Sequence, residues 1–281
     1  SIRASVGIVT SDYDNRTSDD LMRDADLALY SAKAAGKGCF RFFAPEMHEA
    51  ARDRQKMESD LRVALERGEL RVVFQPCVDA SSEAVTGFEA LIRWDHPEHG
   101  PVSPAQFIPL AEEIGLINEI GEWVLRTACA EAAKWPQQVS VAVNLSPVQF
   151  KLPSLPSTVR AVLKDSGLDA KRLELEITEG LLLSNDAHVH DMIHSLKKIG
   201  LKLALDDFGT GYSSLSYLLR VPFDKIKIDQ SFVRGASDPE SRNAALIRAM
   251  ISLASDLKMQ TTAEGVETQE ELLLVRNLGC S

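Results

Sequence analysis

The residues that could do chemistry recur in one place: at or near the ends of short apolar runs. Gln75 follows Val72-Val73-Phe74, Glu89 follows Thr86-Gly87-Phe88, and Asn144 follows Val141-Ala142-Val143. Glu176 and Glu179 accompany Leu173-Glu174-Leu175, the pair Asp206-Asp207 follows Leu203-Ala204-Leu205, Lys227 and Asp229 sit within 225–230, and Glu264 and Glu267 follow 260–263. Carboxylates with an Asn amide are hard oxygen donors, which suit Mg²⁺ or Mn²⁺ rather than zinc. Adjacent carboxylates at Asp206-Asp207 can serve two ions, because one can bridge while its neighbour serves a single ion. Two such ions ~3.5–4 Å apart are common apparatus for in-line attack of water on a phosphodiester. Lys227 lies inside an apolar strand with Ile226 and Ile228 on the opposite face; facing inward, it would be costly without a carboxylate or phosphate partner.

Each feature has a plainer explanation. A single acid at a strand end is more often a solvated loop residue or a helix cap, and Lys227 could be half of a structural ion pair. The Asp206-Asp207 doublet resists that account, since two adjacent carboxylates repel unless a cation or a cap holds them. Asp207-Phe208-Gly209-Thr210-Gly211-Tyr212-Ser213-Ser214 lacks the third glycine of a dinucleotide fingerprint and the lysine of a P-loop. It reads as a gate over the site, or as a tight turn. No GxSxG elbow is present. His188, His190 and His194 lie on one amphipathic helix and read as exposed, because no second cluster completes a metal set. His96 and His99, in a Pro/Gly stretch, read as surface residues.

The elements that must position these groups follow from periodicity. Candidate strands cover 70–74, 85–92, 139–145, 173–177, 202–205, 225–228 and 260–263, with amphipathic helices at 105–114, 121–135, 156–166, 187–199, 239–257 and 269–278. Strands alternating with helices predict parallel βαβ units and a barrel whose strand C-termini meet at one mouth. Seven strands are visible, so an eight-stranded α/β barrel is expected with its last strand outside this chain. Residues 1–43 read as a separate unit: a strand within 1–10, a helix N-capped by Ser18 with Asp19 and Asp20 in its first turn, a stop at Gly36, and an aromatic strand at 40–43. Residues 44–67 read as a charged connector helix closed by Gly68.

Bulk properties narrow the function. The 281 residues carry 31 Lys+Arg against 41 Asp+Glu, a net charge of −10, which argues against binding DNA or RNA polymers. At 44% hydrophobic and 26% charged the composition is that of a globular protein. No apolar run approaches the ~18–20 residues of a membrane helix, so no membrane contact is expected. Four scattered cysteines form no CxxC pair, and a cytoplasmic setting is the default. The first residue is not Met and the last helix stops at Gly279; the chain is expected to be a fragment whose parent could carry an anchor.

Glu89-Ala90-Leu91 with Ile92-Arg93-Trp94 resembles the signature of EAL domains, bacterial cyclic di-GMP phosphodiesterases. The likeness runs over residues 68–281 through Phe74-Gln75-Pro76, Asn144-Leu145-Ser146, Glu176-Ile177-Thr178-Glu179, Asp206 to Leu215, Lys227-Ile228-Asp229 and Ala263-Glu264-Gly265-Val266-Glu267. Residues 1–43, with Ala25 to Tyr30 and Ala32 to Lys37, are similar to the last part of a GGDEF domain, the diguanylate cyclase module.

The resemblance implies a (β/α)₈ TIM-like barrel that hydrolyses cyclic di-GMP to linear pGpG with two Mg²⁺ or Mn²⁺ ions. Glu89, Asn144, Glu176, Asp206, Asp207, Asp229 and Glu264 would hold metal, and Lys227, Glu264 and Glu89 would be catalytic. Gln75, Leu91 and Arg93 would contact the ligand, while Glu179 and Glu267 would support loops. A homodimer through the EAL domain is implied. The family's Gln-Gly-aromatic motif belongs to a last strand that this chain lacks, so the chain alone is expected to be poorly stable or inactive. A receptor that binds cyclic di-GMP without cleaving it is the alternative; such receptors usually lose metal positions, and none is lost here.

Overall fold

In the computed structural model, residues 4–10, 17–36, 38–182, 187–210, 218–234, 236 and 241–280 are described. They divide into two compact units, Ser1–Arg67 and Gly68–Ser281. In the first, β1 (Val6–Ile8) and β2 (Phe40–Phe42) pair in parallel across the helix α1 (Ser18–Ala34). The cap of α1 is Thr17 rather than the expected Ser18. Its side chain accepts from the Asp20 backbone N–H while Asp20 answers the Thr17 N–H, a reciprocal capping box that Ser18 is one residue too late to form. Helix α2 (Glu46–Ala64) follows, tied back to α1 by His48 Nε2 at 2.8 Å from the buried Asp24 carboxylate.

The second unit begins with a hairpin, β3 (Leu70–Val78) and β4 (Val85–His96), and this corrects the expected all-parallel barrel. The two strands are antiparallel, with Gln75 opposite Glu89 and Val73 opposite Leu91. Only residues 79–84 separate them, far fewer than the dozen or so a parallel crossover needs. One carboxylate oxygen of Asp79 closes the turn by accepting from the N–H and hydroxyl groups of Ser81 and Ser82. The far half of β4 pairs with a short strand, β5 (Gly100–Val102), which periodicity did not reveal.

From there the alternation holds. Helices α3 (Pro104–Glu113) and α4 (Ile117–Ala132) lead to β6 (Ser140–Asn144), then α5 (Leu155–Ser166) and β7 (Leu173–Thr178). Next come α6 (Glu179–Leu182), α7 (Ala187–Lys197) and β8 (Lys202–Phe208), followed by β9 (Lys225–Ile228) and α8 (Gln230–Val233). Helix α9 (Arg242–Asp256), β10 (Gln260–Ala263) and α10 (Gln269–Asn277) complete the unit. The sheet order is β10-β9-β8-β7-β6-β4-β3, parallel throughout except for the β3–β4 pair and the β5 addition. The central strands β6 to β9 are buried on both faces, as helix-covered parallel strands must be.

Contacts across the sheet show that it curls. Strands β9 and β4 are four places apart, so roughly 19 Å would separate them in a flat sheet at ~4.8 Å per strand. Yet Lys227 Nζ of β9 lies 3.2 Å from Glu89 Oε2 of β4. The sheet therefore wraps its inner face around these side chains.

Candidate active site

Lys227 is the centre of the constellation. It is 4% exposed, and its ammonium lies 2.5 Å from Glu176 Oε2, 2.6 Å from Glu264 Oε1, 3.2 Å from Glu89 Oε2 and 3.3 Å from Asp206 Oδ1. Those four carboxylates come from four different strands or strand ends, β7, β10, β4 and β8. Burial opposes the charge on Lys227, but Glu176, Asp206, Glu89 and Glu264 outweigh it and hold the ammonium well above the ordinary lysine value. One cation does not balance the cluster. Burial raises Glu176 well above the usual carboxylate range, with Lys227 opposing and Glu89 and Asp206 reinforcing the rise. Glu264 is raised in the same way, by burial first and Asp206 and Glu89 after it.

Asp206 and Asp207 reach the same space by breaking the strand rule. Neighbours on a regular strand point to opposite faces. Here the β8–β9 register shifts between Leu205 and Phe208, and Asp207 adopts a left-handed backbone at φ 55°. Such an irregularity re-aims side chains. One ligand atom each from Asp206, Asp207 and Glu264 lies within 4.8 Å of the others, and burial, then Asp206 and Asp229, push the Asp207 carboxyl up. Glu264 follows β10 directly, its N–H bonded to Ile228 O, and Gly265 turns the chain away at φ 65°, where a Cβ would lie 2.5 Å from Gln230 Cβ.

The remaining candidates divide between this centre and its surroundings. Asn144 ends β6, and its Nδ2 donates to Glu89 Oε1 at 2.7 Å, leaving its oxygen as the donor for a cation. Glu179, 2% exposed, accepts from Gly209 N–H at 3.2 Å and so grips the chain after β8. Asp229 caps α8 through Ser231 N–H. Glu267 lies further out, exposed and paired with Arg234 at 3.0 Å, so it is no member of the inner cluster. Gln75 stands mid-strand on β3, not at a strand end; it reaches the site because the antiparallel register sets it opposite Glu89. Arg93 shares the Glu89 and Leu91 face of β4 by alternation, with Nη1 donating to Ile92 O.

An open cavity of about 660 Å³ lies over the cluster, with Gln75, Glu89, Leu91, Asp206, Lys227 and Glu264 in its wall. That volume is in the range of small-ligand pockets. His96 is a correction: it is 4% exposed on β4, and its Nδ1 accepts from the Glu98 and His99 N–H groups to fasten the turn. Residues 211–214 of the expected gate lie outside the described residues. Sequence reading quoted Ser146 only within a motif and passed over Glu112 and Gln149. Ser146 bonds to both of the others beside Asn144, and no local pattern marks the link to Glu112, which is 34 residues from Ser146.

The donor set fits hard divalent cations: it is all oxygen, it is over-supplied with buried negative charge, and three of its carboxylates already converge. Fold and site together define a curled α/β sheet bearing a carboxylate-rich mouth at the C-terminal ends of its parallel strands. The chain belongs to the EAL domain family, whose model matches residues 58–281. It is 47% identical over 278 residues to an uncharacterised signalling protein of Caulobacter vibrioides, covering 99% of this chain and 34% of that protein. It is 40% identical over 284 residues to MucR of Pseudomonas aeruginosa, a bifunctional diguanylate cyclase and cyclic di-GMP phosphodiesterase, covering 100% of this chain and 41% of MucR. The solved PaMucR phosphodiesterase in complex with c-di-GMP superposes with a TM-score of 0.77 at 40% identity, over 80% of this chain and 93% of that one. The chain thus spans well under half the length of these curated relatives.

Proposed function

We propose that this chain hydrolyses cyclic di-GMP to linear pGpG with the help of two Mg²⁺ or Mn²⁺ ions. The observation that carries the reading is the Lys227 ammonium set among Glu89, Glu176, Asp206 and Glu264 at 2.5–3.3 Å, on the wall of a ligand-sized cavity. Glu89, Asn144, Glu176, Asp206, Asp207, Asp229 and Glu264 would hold the ions, which supply Lewis acidity toward water and the phosphate oxygens when bound.

The chain's own groups do the rest. Lys227, kept protonated by its neighbours, donates hydrogen bonds and positions the attacking water. Glu264 and Glu89 stand beside the Lys227 ammonium, where they can accept the proton that water gives up. Gln75, Leu91 and Arg93 orient the dinucleotide. Glu179 holds the Asp207–Gly209 turn in place through Gly209 N–H.

The same reading assigns residues 1–43 to the end of a GGDEF domain, 44–67 to a connector helix and 68–281 to an EAL domain, a (β/α)₈-like barrel that opens with the antiparallel β3–β4 hairpin. A homodimer formed through the EAL domain and a cytoplasmic location belong to it as well. No described helix is long and apolar enough to cross a membrane.

Incubating the parent protein with cyclic di-GMP and Mn²⁺ and separating the products by chromatography tests the proposal: linear pGpG is expected. Binding without product would identify a receptor instead. Glu89→Ala, which removes a partner of both Lys227 and Asn144, is expected to abolish turnover; undiminished hydrolysis would take Glu89 out of the site.

A further inference from the structure

The turn after β6 is fixed by a group from a different helix. Ser146 Oγ donates to Glu112 Oε1 of α3 at 2.6 Å, a short bond to a charged acceptor. The same hydroxyl accepts from Val148 N–H at 3.1 Å, and the Ser146 N–H donates to Gln149 Oε1 at 3.0 Å. Gln149 is itself 5% exposed and wedged against α4, where a Cβ on Gly121 would lie 2.2 Å from its Nε2. On the other side Leu145 N–H is bonded to Glu176 O. Asn144 is the residue immediately before this pinned segment, and its amide has a direction to keep: Nδ2 toward Glu89, Oδ1 free for a cation.

We propose that Glu112, Ser146 and Gln149 form a positioning cluster that holds Asn144 in this orientation, so that α3 helps to set the metal site without touching it. The inference rests on the metal-dependent reading above. Three features favour it over a plain loop cap. Both polar functions of Ser146 are used, the Glu112 carboxylate reaches across from another element, and the segment they lock directly adjoins a side chain bonded to the carboxylate cluster. Partners of this outer kind typically alter metal affinity or activity by about 10–100-fold.

The test uses the parent protein with Ser146→Ala and Glu112→Ala, measuring Mn²⁺ affinity by titration calorimetry, kcat and KM for cyclic di-GMP, and the thermal midpoint. Mn²⁺ affinity and kcat are expected to fall about ten-fold or more, with KM within about two-fold and the midpoint nearly unmoved. Glu112→Gln, which keeps the acceptor oxygen, should recover most of the loss. Should either alanine variant fail to fold, Glu112→Asp keeps the charge, withdraws it by one methylene and carries the same expectation. Wild-type Mn²⁺ affinity and kcat in the folded variants would overturn the proposal, as would a loss that merely tracks the unfolded fraction. A wild-type protein that binds Mn²⁺ but gives no turnover refutes the phosphodiesterase reading alone, and the cluster is then judged on Mn²⁺ affinity.

Discussion

Lys227 sets the charge balance of the site, and its removal has a signed consequence. Lys227→Met leaves Glu176, Glu89, Asp206 and Glu264 facing one another without their shared cation. Breaking a buried ion pair in this way costs about 3–5 kcal/mol. A melt in EDTA should therefore show a clear drop in midpoint, and added Mn²⁺ should recover part of it; an unchanged midpoint in EDTA would mean that other groups neutralise the cluster. Cys129 illustrates the opposite regime, a titratable group in an apolar place. It is fully buried on α4, and burial pushes its thiol up to about 12. Near pH 8 it stays a thiol, so a chromogenic disulfide reagent should modify it only after denaturant is added. These residue types were legible beforehand, but their partners were not: Lys227 meets Glu89 across 138 positions of sequence.

At the scale of elements, close approach explains what local propensity does not. Gly121 sits inside α4, where glycine is less favourable than alanine by about 1 kcal/mol. Its absent side chain makes room for Gln149. Gly121→Ala should thus destabilise the protein despite the better helix former, by about 1–3 kcal/mol, the range for overpacking; a chemical denaturation curve gives the sign directly. The strands were visible from their apolar runs because parallel, helix-covered strands concentrate Val, Leu and Ile. The direction of β3 was not, although the six-residue connection to β4 contained the answer. The kink at Asp206-Asp207 was hidden too. Strand alternation predicts that adjacent carboxylates diverge, and only the register shift against β9 brings them together.

For the whole molecule, the surplus of negative charge around Lys227 means that a divalent cation bound there would be a stabilising ligand. A ligand that binds only the folded state stabilises by about 2.7 kcal/mol at a hundred times its Kd. Each kcal/mol moves the midpoint of a chain this size by roughly 2–4 °C. Mn²⁺ should therefore raise the thermal midpoint by about 5 °C or more relative to EDTA, measured by fluorescence or calorimetry, and Glu89→Ala should reduce that gain. The amino-acid sequence by itself determined which polar residues stand on or beside the strands and which runs become strands, because polar groups ending apolar segments and hydrophobic periodicity are local properties of a chain. It also determined the family, since motif order is written along the chain. Tertiary structure alone decided that Gln75 faces Glu89 from an antiparallel strand, that Glu267 stands outside the inner cluster, and that Glu112 reaches the turn beside Asn144. Those outcomes depend on strand direction, register and sheet curl, and these are fixed by contacts between residues tens of positions apart.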